Sequence, residues 1–558
     1  MKAYVNTIYE LNAPADTKKA VVFGTATKET VEPFFFEGVS FSYDKHGYEE
    51  CEKNGESGFK IRFLPEEIGD MTVIFYDGEG REIKKETVEV LPSSAPARLN
   101  VRDGLPYDSD GKLFVPIGIN IAFPESFANS NGKEFGLSGS FSFLGIPQYE
   151  YWIKRLSENG VNLIRVWCGA AYFSPDTEKL DELDYSQFEK LDRVFDLAQK
   201  YGVKIKITLE KFRHFTDDKN QTAVEGQGGN IFKKYCLYNG ETIDDQNWLM
   251  EEKYRVLWLE KVKEYAKRYA EHPALFAVEL WNEMNAYGNG DKFALNDWNL
   301  YMSEAVRKLF PNALILNSLG SLDAPYPLKQ YNRFCFEQFD LLQFHSYLDQ
   351  GAGFEEMGES PIEAIKKAVS LLQEKKESCK KPLFLAETGA VNDNHSGPFR
   401  YYSKDDDGMI LIDCVYTPFF LGCFGTGNMW YWDLKYLASK NLYRYYLPIR
   451  QLIDSVDYGK ESFVTIDLST ETFDCFVLKG KTSFLAFVRN KEYNWKNVLR
   501  DDKNTASACG EIPLGDMRLA RIEEIPIWED EKGSVVLQNG RLTVRNLRKG
   551  TLLKGFYE

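Results

Sequence analysis

The chain has 558 residues, more than one ordinary domain holds, so we expect two or three domains. Hydrophobic residues make up 43% and charged residues 27%, a balance that excludes a largely disordered chain. The formal net charge is −16 and no basic stripe stands out, which disfavours nucleic acid and an anionic membrane surface as partners.

The cysteines and the N-terminus indicate a compartment. The nine cysteines are scattered, odd in number and never form a Cys-x-x-Cys pair, so we expect neither a disulfide framework nor a zinc knuckle. The stretch Met1–Glu10 lacks the apolar core of a signal peptide, and no run approaches a membrane span. We therefore predict a cytoplasmic protein, while a chain whose leader had been removed would look the same.

Residues 1–97 predict an all-β module. Phe59–Phe63 and Thr72–Tyr76 are rich in β-branched and aromatic residues, and Asp77–Gly80 is typical of a turn. Several short strands without helical periodicity predict a β-sandwich. The segment Ser93–Ala97 has the composition of a linker.

Residues 98–456 predict a (β/α)8 TIM barrel, and thus the α/β class. From Phe114 onward, short apolar strands alternate with amphipathic stretches, as they do in closed parallel barrels. The strand candidates, in order, are Phe114–Ile121, Val161–Trp167, Val203–Leu209, Leu275–Trp281, Ala313–Leu319, Leu341–His345, Leu383–Glu387 and Asn428–Trp432. Between the fifth and sixth, Leu328–Phe336 is only a weak helix candidate.

Residues 457–558 predict a second, C-terminal β-sandwich. Its strand candidates are Phe463–Ile466, Phe473–Leu478, Ser483–Arg489, Gly533–Gln538 and Leu542–Asn546. The oligomeric state is not readable from the sequence.

Two carboxylic acids stand at the ends of barrel strands. Glu283 follows the fourth strand and Glu387 ends the seventh, so a barrel would bring both over its C-terminal face. Such a pair suits acid–base chemistry on a hydroxylated substrate. Asn282 and Glu283 are consecutive, so both can face a cleft only if the strand ends or bulges there. In a regular strand the side chains alternate, and Glu279 would point to the same side as Glu283. Glu279 is therefore the alternative candidate for the carboxylic acid that the fourth strand contributes.

Other strand ends carry polar and aromatic side chains. Arg165 and Trp167 share a face of strand two, and a cation inside a barrel needs an anion. Glu387 is the predicted partner of Arg165, and another acid is the alternative. Glu210 is either a third site carboxylate or the partner of Lys211 or Arg213. The remaining candidates are Asn120 on strand one, His345 and Tyr347 on strand six, and Trp430 and Trp432 on strand eight.

A set of motifs resembles a known family. The set comprises Arg165 after Gly160-Val161-Asn162, the triplet Trp281-Asn282-Glu283, His345-x-Tyr347, Leu385-Ala386-Glu387 and Trp432. It resembles the retaining β-glycosidases of clan A, and above all glycoside hydrolase family 5, the cellulases and β-mannanases. The resemblance covers roughly residues 100–455. The segment Gly58–Gly69 looks like the immunoglobulin-like domain that precedes such barrels in bacterial hydrolases.

The resemblance implies roles for five residues. Glu387 would be the nucleophile and Glu283 the general acid/base. Asn282 would bind the sugar 2-hydroxyl, Tyr347 would hydrogen-bond Glu387, and Arg165 would orient Glu387.

The chain also departs from the family pattern. Many members carry His after the third strand, where this chain has Glu210, and the nearest histidine of this chain is His214. The resemblance therefore does not specify which sugar the site binds. We expect the insert Lys211–Asn247 and the loop Val391–Pro398 to wall the cleft, with His395 as a candidate contact.

The resemblance therefore implies a retaining hydrolase of β-mannosides or β-glucosides that acts on a carbohydrate by double displacement, without metal or cofactor. It also predicts the two carboxyl groups about 5–5.5 Å apart. The alternative is a non-catalytic carbohydrate-binding protein on a decayed barrel. A metal-dependent hydrolase is disfavoured because the five histidines show neither H-x-H nor H-E-x-x-H spacing.

Overall fold

The computed structural model describes residues 1–128, 141–177, 179–211, 213–216, 232–235, 237–243, 245–287 and 292–558. A barrel of parallel strands occupies the centre, and β-rich segments precede and follow it. None of the helices in these ranges combines the length and apolarity needed to cross a membrane.

The N-terminal segment forms two sheets. One has the order β1-β8-β7-β3-β4, and in the other β6 pairs with β2 and β5. Val73 and Phe75 of the first sheet and Ile61 and Phe63 of the second belong to one buried cluster, so the sheets pack face to face. The strands are β1 (Lys2–Tyr4), β2 (Tyr9–Ala13), β3 (Lys19–Phe23), β4 (Lys28–Val31), β5 (Phe34–Tyr43), β6 (Glu49–Phe63), β7 (Gly69–Tyr76) and β8 (Glu82–Leu91).

A hairpin of β9 (Asn100–Arg102) and β10 (Leu105–Tyr107) closes the bottom of the barrel. Leu99 and the hairpin residue Leu105 pack with Leu163 and Phe276, which lie near the N-terminal ends of barrel strands. This end of a barrel serves stability rather than chemistry.

The barrel strands run parallel in the order β11-β14-β15-β20-β21, followed by the pair β22-β23. Met429 closes the ring through parallel bridges to Ile119 and to Thr388. The barrel that the alternating pattern predicts is therefore present. The strands of this region are β11 (Gly118–Asn120), β12 (Ser126–Ala128), β13 (Phe141–Phe143), β14 (Leu163–Trp167), β15 (Lys204–Lys211), β16 (Arg213–Thr216), β17 (Phe232–Tyr235), β18 (Leu237–Tyr238), β19 (Glu241–Thr242), β20 (Leu275–Asn282), β21 (Leu314–Leu316), β22 (Leu342–Leu348) and β23 (Leu383–Ala390).

Amphipathic helices surround the strands. In α2 the buried residues Leu191, Val194, Phe195 and Ala198 recur at helical spacing, and the helix ends at Gly202 with a φ of 68°. The helices are α1 (Gly145–Glu158), α2 (Gln187–Tyr201), α3 (Asp245–Met250), α4 (Glu252–Tyr269), α5 (Lys292–Leu309), α6 (Pro325–Arg333), α7 (Pro361–Leu371), α8 (Gln373–Cys379), α9 (Met409–Phe420), α10 (Leu437–Lys440), α11 (Leu447–Asp454) and α12 (Tyr458–Glu461).

The C-terminal segment forms a five-stranded sheet of order β24-β25-β26-β31-β28 and a three-stranded sheet of order β27-β30-β29. Helix α9 packs on β25 and β26, which attaches this segment to the barrel. The strands are β24 (Val464–Asp467), β25 (Phe473–Lys479), β26 (Ser483–Asn490), β27 (Ala508–Pro513), β28 (Leu519–Pro526), β29 (Val535–Gln538), β30 (Arg541–Leu547) and β31 (Gly550–Tyr557).

Candidate active site

An open cleft of about 580 Å³ lies over the C-terminal ends of the barrel strands. This is the end at which barrel enzymes carry their active sites. The predicted site residues that line the cleft are Trp167, Asn282, Glu283, Tyr347, Glu387, His395 and Trp430.

Glu283 enters the cleft through a change of backbone direction. Strand β20 ends at Asn282, and Glu283 adopts the left-handed conformation with a φ of 49° and a ψ of 52°. Such a conformation costs about 1 kcal/mol or more for a residue with a side chain. The N–H of Glu283 donates to Ser318 Oγ (3.0 Å), and the N–H of Met284 donates to the Ser318 carbonyl (3.0 Å), so Ser318 holds the turn. The strand end is what allows Asn282 and Glu283 both to face the cleft.

Glu387 is held on both of its carboxylate oxygens. Arg165 Nη1 donates to Oε1, and the hydroxyl of Tyr347 donates to Oε2 at 2.9 Å. Only 4% of Glu387 is exposed, yet it lines the cleft. The carboxylate therefore presents a fixed orientation to a bound molecule.

Arg165 binds Glu387, its predicted partner, and also a second acid, Glu279. Besides its bond to Glu387, its Nε donates to Glu279 Oε2 (2.6 Å) and its Nη2 to Glu279 Oε1 (2.9 Å). Glu279 is fully buried, and Lys206 Nζ lies 3.4 Å from it. Burial alone would raise the pKa of Glu279, but the charges of Arg165 and Lys206 outweigh it and hold that pKa far below its usual value. Glu279 is thus the deep counter-ion of Arg165.

His345 lies between the two cleft carboxyl groups. Its Nδ1 is 2.7 Å from Glu283 Oε1 and 3.4 Å from Glu387 Oε2. One carboxyl oxygen of Glu283 and one of Glu387 lie within 4.8 Å of each other. Burial lowers the pKa of His345 to about 4, so its ring is neutral at neutral pH. Burial also raises the pKa of Glu283, which favours its protonated form.

Among the described residues, two clusters have the spacing of metal ligands, namely Glu283 with His345 and Glu387, and Asp323 with Asp349 and His395. In the first, the oxygens of Glu387 already accept from Arg165 and Tyr347. In the second, Asp349 accepts four hydrogen bonds from protein N–H groups. Both sets therefore fit hydrogen-bonding roles better than the binding of a cation.

Aromatic rings form one wall of the cleft. Trp167 and Trp430 lie 4.8 Å apart between ring centroids, and both line the cleft. Trp432 does not line it, contrary to the expectation that Trp430 and Trp432 share a face. In this segment only Met429 forms strand bridges, and the N–H of Trp432 turns back to the carbonyl of Trp430 (3.0 Å). Trp432 therefore packs behind the wall on Phe123, at 5.4 Å between ring centroids.

Asn120 lies beneath the cleft surface rather than in it. Its amide donates to the carbonyls of Ala386, Asn428 and Met429, and its side-chain oxygen accepts from Arg165. The expected contact with substrate gives way to a role in joining the first, seventh and eighth barrel positions.

Glu210 is likewise absent from the cleft lining. It is 1% exposed and lies against α4, where Lys261 Nζ forms an ion pair with it and Trp258 Nε1 donates at 3.0 Å. Residues 217–231 of the insert expected to wall the cleft after β15, and the side chains of Arg213 and His214, lie outside the described residues.

The loop after β23 does wall the cleft, through Val391, His395, Gly397 and Pro398. His395 Nδ1 lies 2.8 Å from Asp349 Oδ2, and its Nε2 lies 3.1 Å from Ser321 Oγ.

Four polar residues that line the cleft were missed by the sequence reasoning: Asn285, Ser321, Asp323 and Lys435. Ser321 and Asp323 follow β21 only after a polar loop, so a search confined to the ends of strands passes over them. The polar run around Ser318–Asp323 was the signal that could have found them.

Comparison with known proteins places these features in context. The family model for cellulase (glycosyl hydrolase family 5) matches residues 128–415. The probable mannan endo-1,4-beta-mannosidase F of Aspergillus flavus is 26% identical over 217 residues, covering 34% of this chain and 43% of that protein. Mannan endo-1,4-beta-mannosidase F of Aspergillus clavatus is 23% identical over 319 residues, covering 50% of this chain and 67% of that protein. The match thus spans less than half of the first relative's length.

Among solved structures, a glycoside hydrolase candidate from Bacteroides vulgatus ATCC 8482 is similar over 100% of both chains. The TM-score is 0.57 at 14% sequence identity. At this identity the likeness concerns the fold alone.

Proposed function

Because the chain belongs to glycosyl hydrolase family 5, we propose that it hydrolyses β-linked glycosides with retention of configuration at the anomeric carbon. The observation that carries the proposal is the pair Glu283 and Glu387, with one carboxyl oxygen of each within 4.8 Å of the other in the cleft. Retaining glycosidases hold their carboxyl groups about 5–5.5 Å apart, whereas inverting ones leave roughly 6.5–9.5 Å for a water molecule. The short separation supports retention.

Glu387 is the nucleophile of the proposed reaction. Its carboxylate attacks the anomeric carbon, the bond to the leaving oxygen breaks, and a covalent glycosyl-enzyme forms. The hydrogen bonds from Arg165 and Tyr347 fix the direction from which the oxygen approaches.

Glu283 is the general acid and then the general base. Because burial raises its pKa, it carries a proton in the free enzyme more readily than an exposed glutamate does. It gives that proton to the leaving oxygen, then removes one from the water that releases the sugar from Glu387. Neutral His345 keeps its hydrogen bond to Glu283 without adding a charge between the carboxyl groups.

Asn282 and the tryptophan wall hold the sugar. Asn282 Oδ1 accepts from Arg165 Nη2 at 2.6 Å, so its amide nitrogen is turned away from that bond. Asn282 Nδ2 is buried and has no hydrogen-bond partner in the part of the chain that the structure describes. It is therefore available to donate to a sugar hydroxyl, and Trp430 offers a face on which the ring can stack.

We infer a β-mannoside as the first substrate class and a β-glucoside as the second. Support comes from the relatives in Aspergillus, which are named mannan endo-1,4-beta-mannosidases, and from the cellulase family model. We also infer that residues 1–97 and 457–558 are β-sandwich domains around a catalytic barrel of residues 98–456.

Turnover of paired substrates with product stereochemistry tests the proposal. Aryl β-mannosides and β-glucosides are incubated with the protein, and the first product formed is followed by proton NMR. We expect the β-anomer to appear first and to mutarotate later. Appearance of the α-anomer first, or binding of oligosaccharides without any turnover, would contradict the proposal.

A further inference from the structure

The cleft has two halves of different chemistry. Beside Glu387 stands the aromatic wall of Trp167, Trp430 and Tyr431, and the N–H of Trp430 donates to the carbonyl of Thr388, the residue after Glu387. Beside Glu283 stands a polar wall, which we define as Ser321, Asp323 and His395.

The polar wall adjoins the carboxyl group of Glu283. A Cβ added to Gly320 would lie 3.7 Å from Glu283 Cδ, so the chain that leads into the wall runs directly past this carboxyl group. The N–H of Leu322 donates to the carbonyl of His345, whose ring contacts Glu283. The wall is therefore built on the acid side of the cleft.

The position of the acid decides which part of a substrate meets the polar wall. In the proposed function, on which this inference rests, Glu283 protonates the oxygen that departs with the leaving group. The leaving group must therefore stand beside Glu283, and the sugar attacked by Glu387 occupies the aromatic half.

The wall is rigidly supported from behind. Asp349 is 1% exposed and accepts at Oδ1 from the N–H groups of Gly351 and Asn394, both at 2.8 Å. At Oδ2 it accepts from the backbone N–H of His395 (3.1 Å) and contacts ring atom Nδ1 (2.8 Å). These bonds fix the orientation of the His395 ring, whose Nε2 faces Ser321.

Within the polar wall, the carboxyl group of Asp323 is the one whose oxygens are left to accept hydrogen bonds from a ligand. His395 Nδ1 lies 3.6 Å from Asp323 Oδ2, beyond hydrogen-bond distance, and no side chain of the described residues donates to this carboxyl group. Burial on its own lowers the pKa of His395, but Asp349 and Asp323 outweigh it and raise that pKa above its usual value. The carboxyl group of Asp323 lines the cleft, where its oxygens can accept hydrogen bonds from a bound molecule.

We propose that Asp323 is a specificity-determining residue, and that the leaving group it selects is a neutral sugar with free hydroxyl groups. Its two oxygens can accept from neighbouring hydroxyls of such a sugar, whereas an apolar aglycone would leave them without partners. His395 and Asp349 act through Asp323 as positioning residues. The substrate class is thereby an oligosaccharide rather than a glycoside of an apolar alcohol.

The test compares two leaving groups on the same sugar. Wild-type protein and Asp323→Asn are assayed on β-1,4-mannobiose, whose leaving group is a sugar, and on dinitrophenyl β-mannoside, whose leaving group departs without help. The matching glucosides are run alongside. Loss of a charged acceptor should lower kcat/KM for the disaccharide by roughly 10- to 100-fold. The value for the dinitrophenyl glycoside should stay within about two-fold, because its leaving group makes no such bonds.

Asp393→Asn is the matched control. It removes the same charge from an exposed position on the His395 loop, which does not line the cleft, so the ratio of the two kcat/KM values should not change. Asp323→Ala provides a second variant, expected to give the same selective loss should Asp323→Asn fail to fold.

The positioning role has its own readout in a double-mutant cycle. His395→Gln should reduce the disaccharide preference in the wild-type background and add nothing to it in Asp323→Asn. Equal losses on both substrates, or no loss on the disaccharide, would overturn the inference while leaving the proposed function intact. Failure of the wild-type protein to turn over any of these glycosides would overturn both.

Discussion

Two buried arginines show how similar ion pairs serve different ends. Arg165 in the barrel and Arg489 in the C-terminal sheet are 1% and 2% exposed. Each pairs with a buried acid through two nitrogen atoms, Arg165 with Glu279 and Arg489 with Asp413. In residue type and in burial, the two ion pairs are alike.

They differ in what the remaining donors reach. Arg489 also donates to the carbonyls of Lys549 and Tyr493, so all of these partners of its guanidinium group lie inside the protein. Arg165 instead reaches Glu387 and Asn282, both of which line the cleft. Because structural ion pairs can resemble functional ones, a buried ion pair alone does not identify an active site. The partners of Arg165 that line the cleft are what distinguish it from Arg489.

The isosteric change Glu387→Gln should have the largest effect on activity of the changes considered for the two ion pairs. We expect kcat on an aryl β-glycoside to fall by about 10⁴-fold or more, because an amide cannot form the glycosyl ester. Chemical unfolding should show a much smaller change, since Glu279 still neutralises Arg165. Hydrolysis near the wild-type rate would remove Glu387 from the reaction.

Arg165→Met should damage both activity and stability. Loss of a donor to the nucleophile should lower kcat by about 10²- to 10³-fold. The free energy of unfolding should fall by about 3 kcal/mol, because Glu279 keeps a buried charge with only Lys206 beside it. Kinetics on an aryl glycoside and urea unfolding, measured on one preparation, check both. A variant that lost stability alone would make Arg165 equivalent to Arg489.

Asp413→Asn is the structural counterpart of Glu387→Gln. It leaves Arg489 uncompensated between α9 and β26, so we expect a loss of about 3 kcal/mol in the free energy of unfolding. The kcat of the folded fraction should stay within about two-fold, as Asp413 does not line the cleft. A large fall in kcat at full folding would show that the Arg489–Asp413 ion pair is coupled to the cleft.

The pH dependence of kcat/KM should give the smallest but most specific difference between the cleft and the Arg489–Asp413 ion pair. Glu283 must be protonated for the first step, so kcat/KM should fall as pH rises through its pKa. Because burial raises that pKa, this alkaline limb should lie above the range of an exposed glutamate. Glu283→Gln should abolish the limb for dinitrophenyl glycosides, and Asp413→Asn should leave it in place. An unchanged limb in Glu283→Gln would assign it to another group.

The sequence was sufficient for the family and the barrel. The motifs that indicate the family stand at the ends of strands, and the alternation of apolar strands with amphipathic stretches indicates the barrel. Family 5, predicted from motifs such as Trp281-Asn282-Glu283 and His345-x-Tyr347, is confirmed by the match over residues 128–415. Alternation along a strand was a poorer guide where no regular strand exists. It predicted that Trp432 faces the cleft together with Trp430, whereas the chain turns after Met429 and Trp432 is buried against Trp430, with 5.1 Å between ring centroids.

Long-range partners were beyond sequence reasoning for a different reason. Nothing local to Glu210 indicates that Lys261 of α4 will pair with it, since that contact depends on how the helix packs. Asp323 was not predicted as a site residue because it belongs to a loop after β21, and only the fold brings that loop beside Glu283.

The most direct test of the central claim is to trap the intermediate. A 2-deoxy-2-fluoro-β-mannosyl fluoride reacts through its good leaving group, and its fluorine slows release of the sugar, so the glycosyl-enzyme accumulates. Peptide mass spectrometry should then find one fluoroglycosyl ester, on the peptide that contains Glu387 and on that side chain. An ester on Glu283 or Glu279, or an active enzyme that never becomes labelled, would contradict the account.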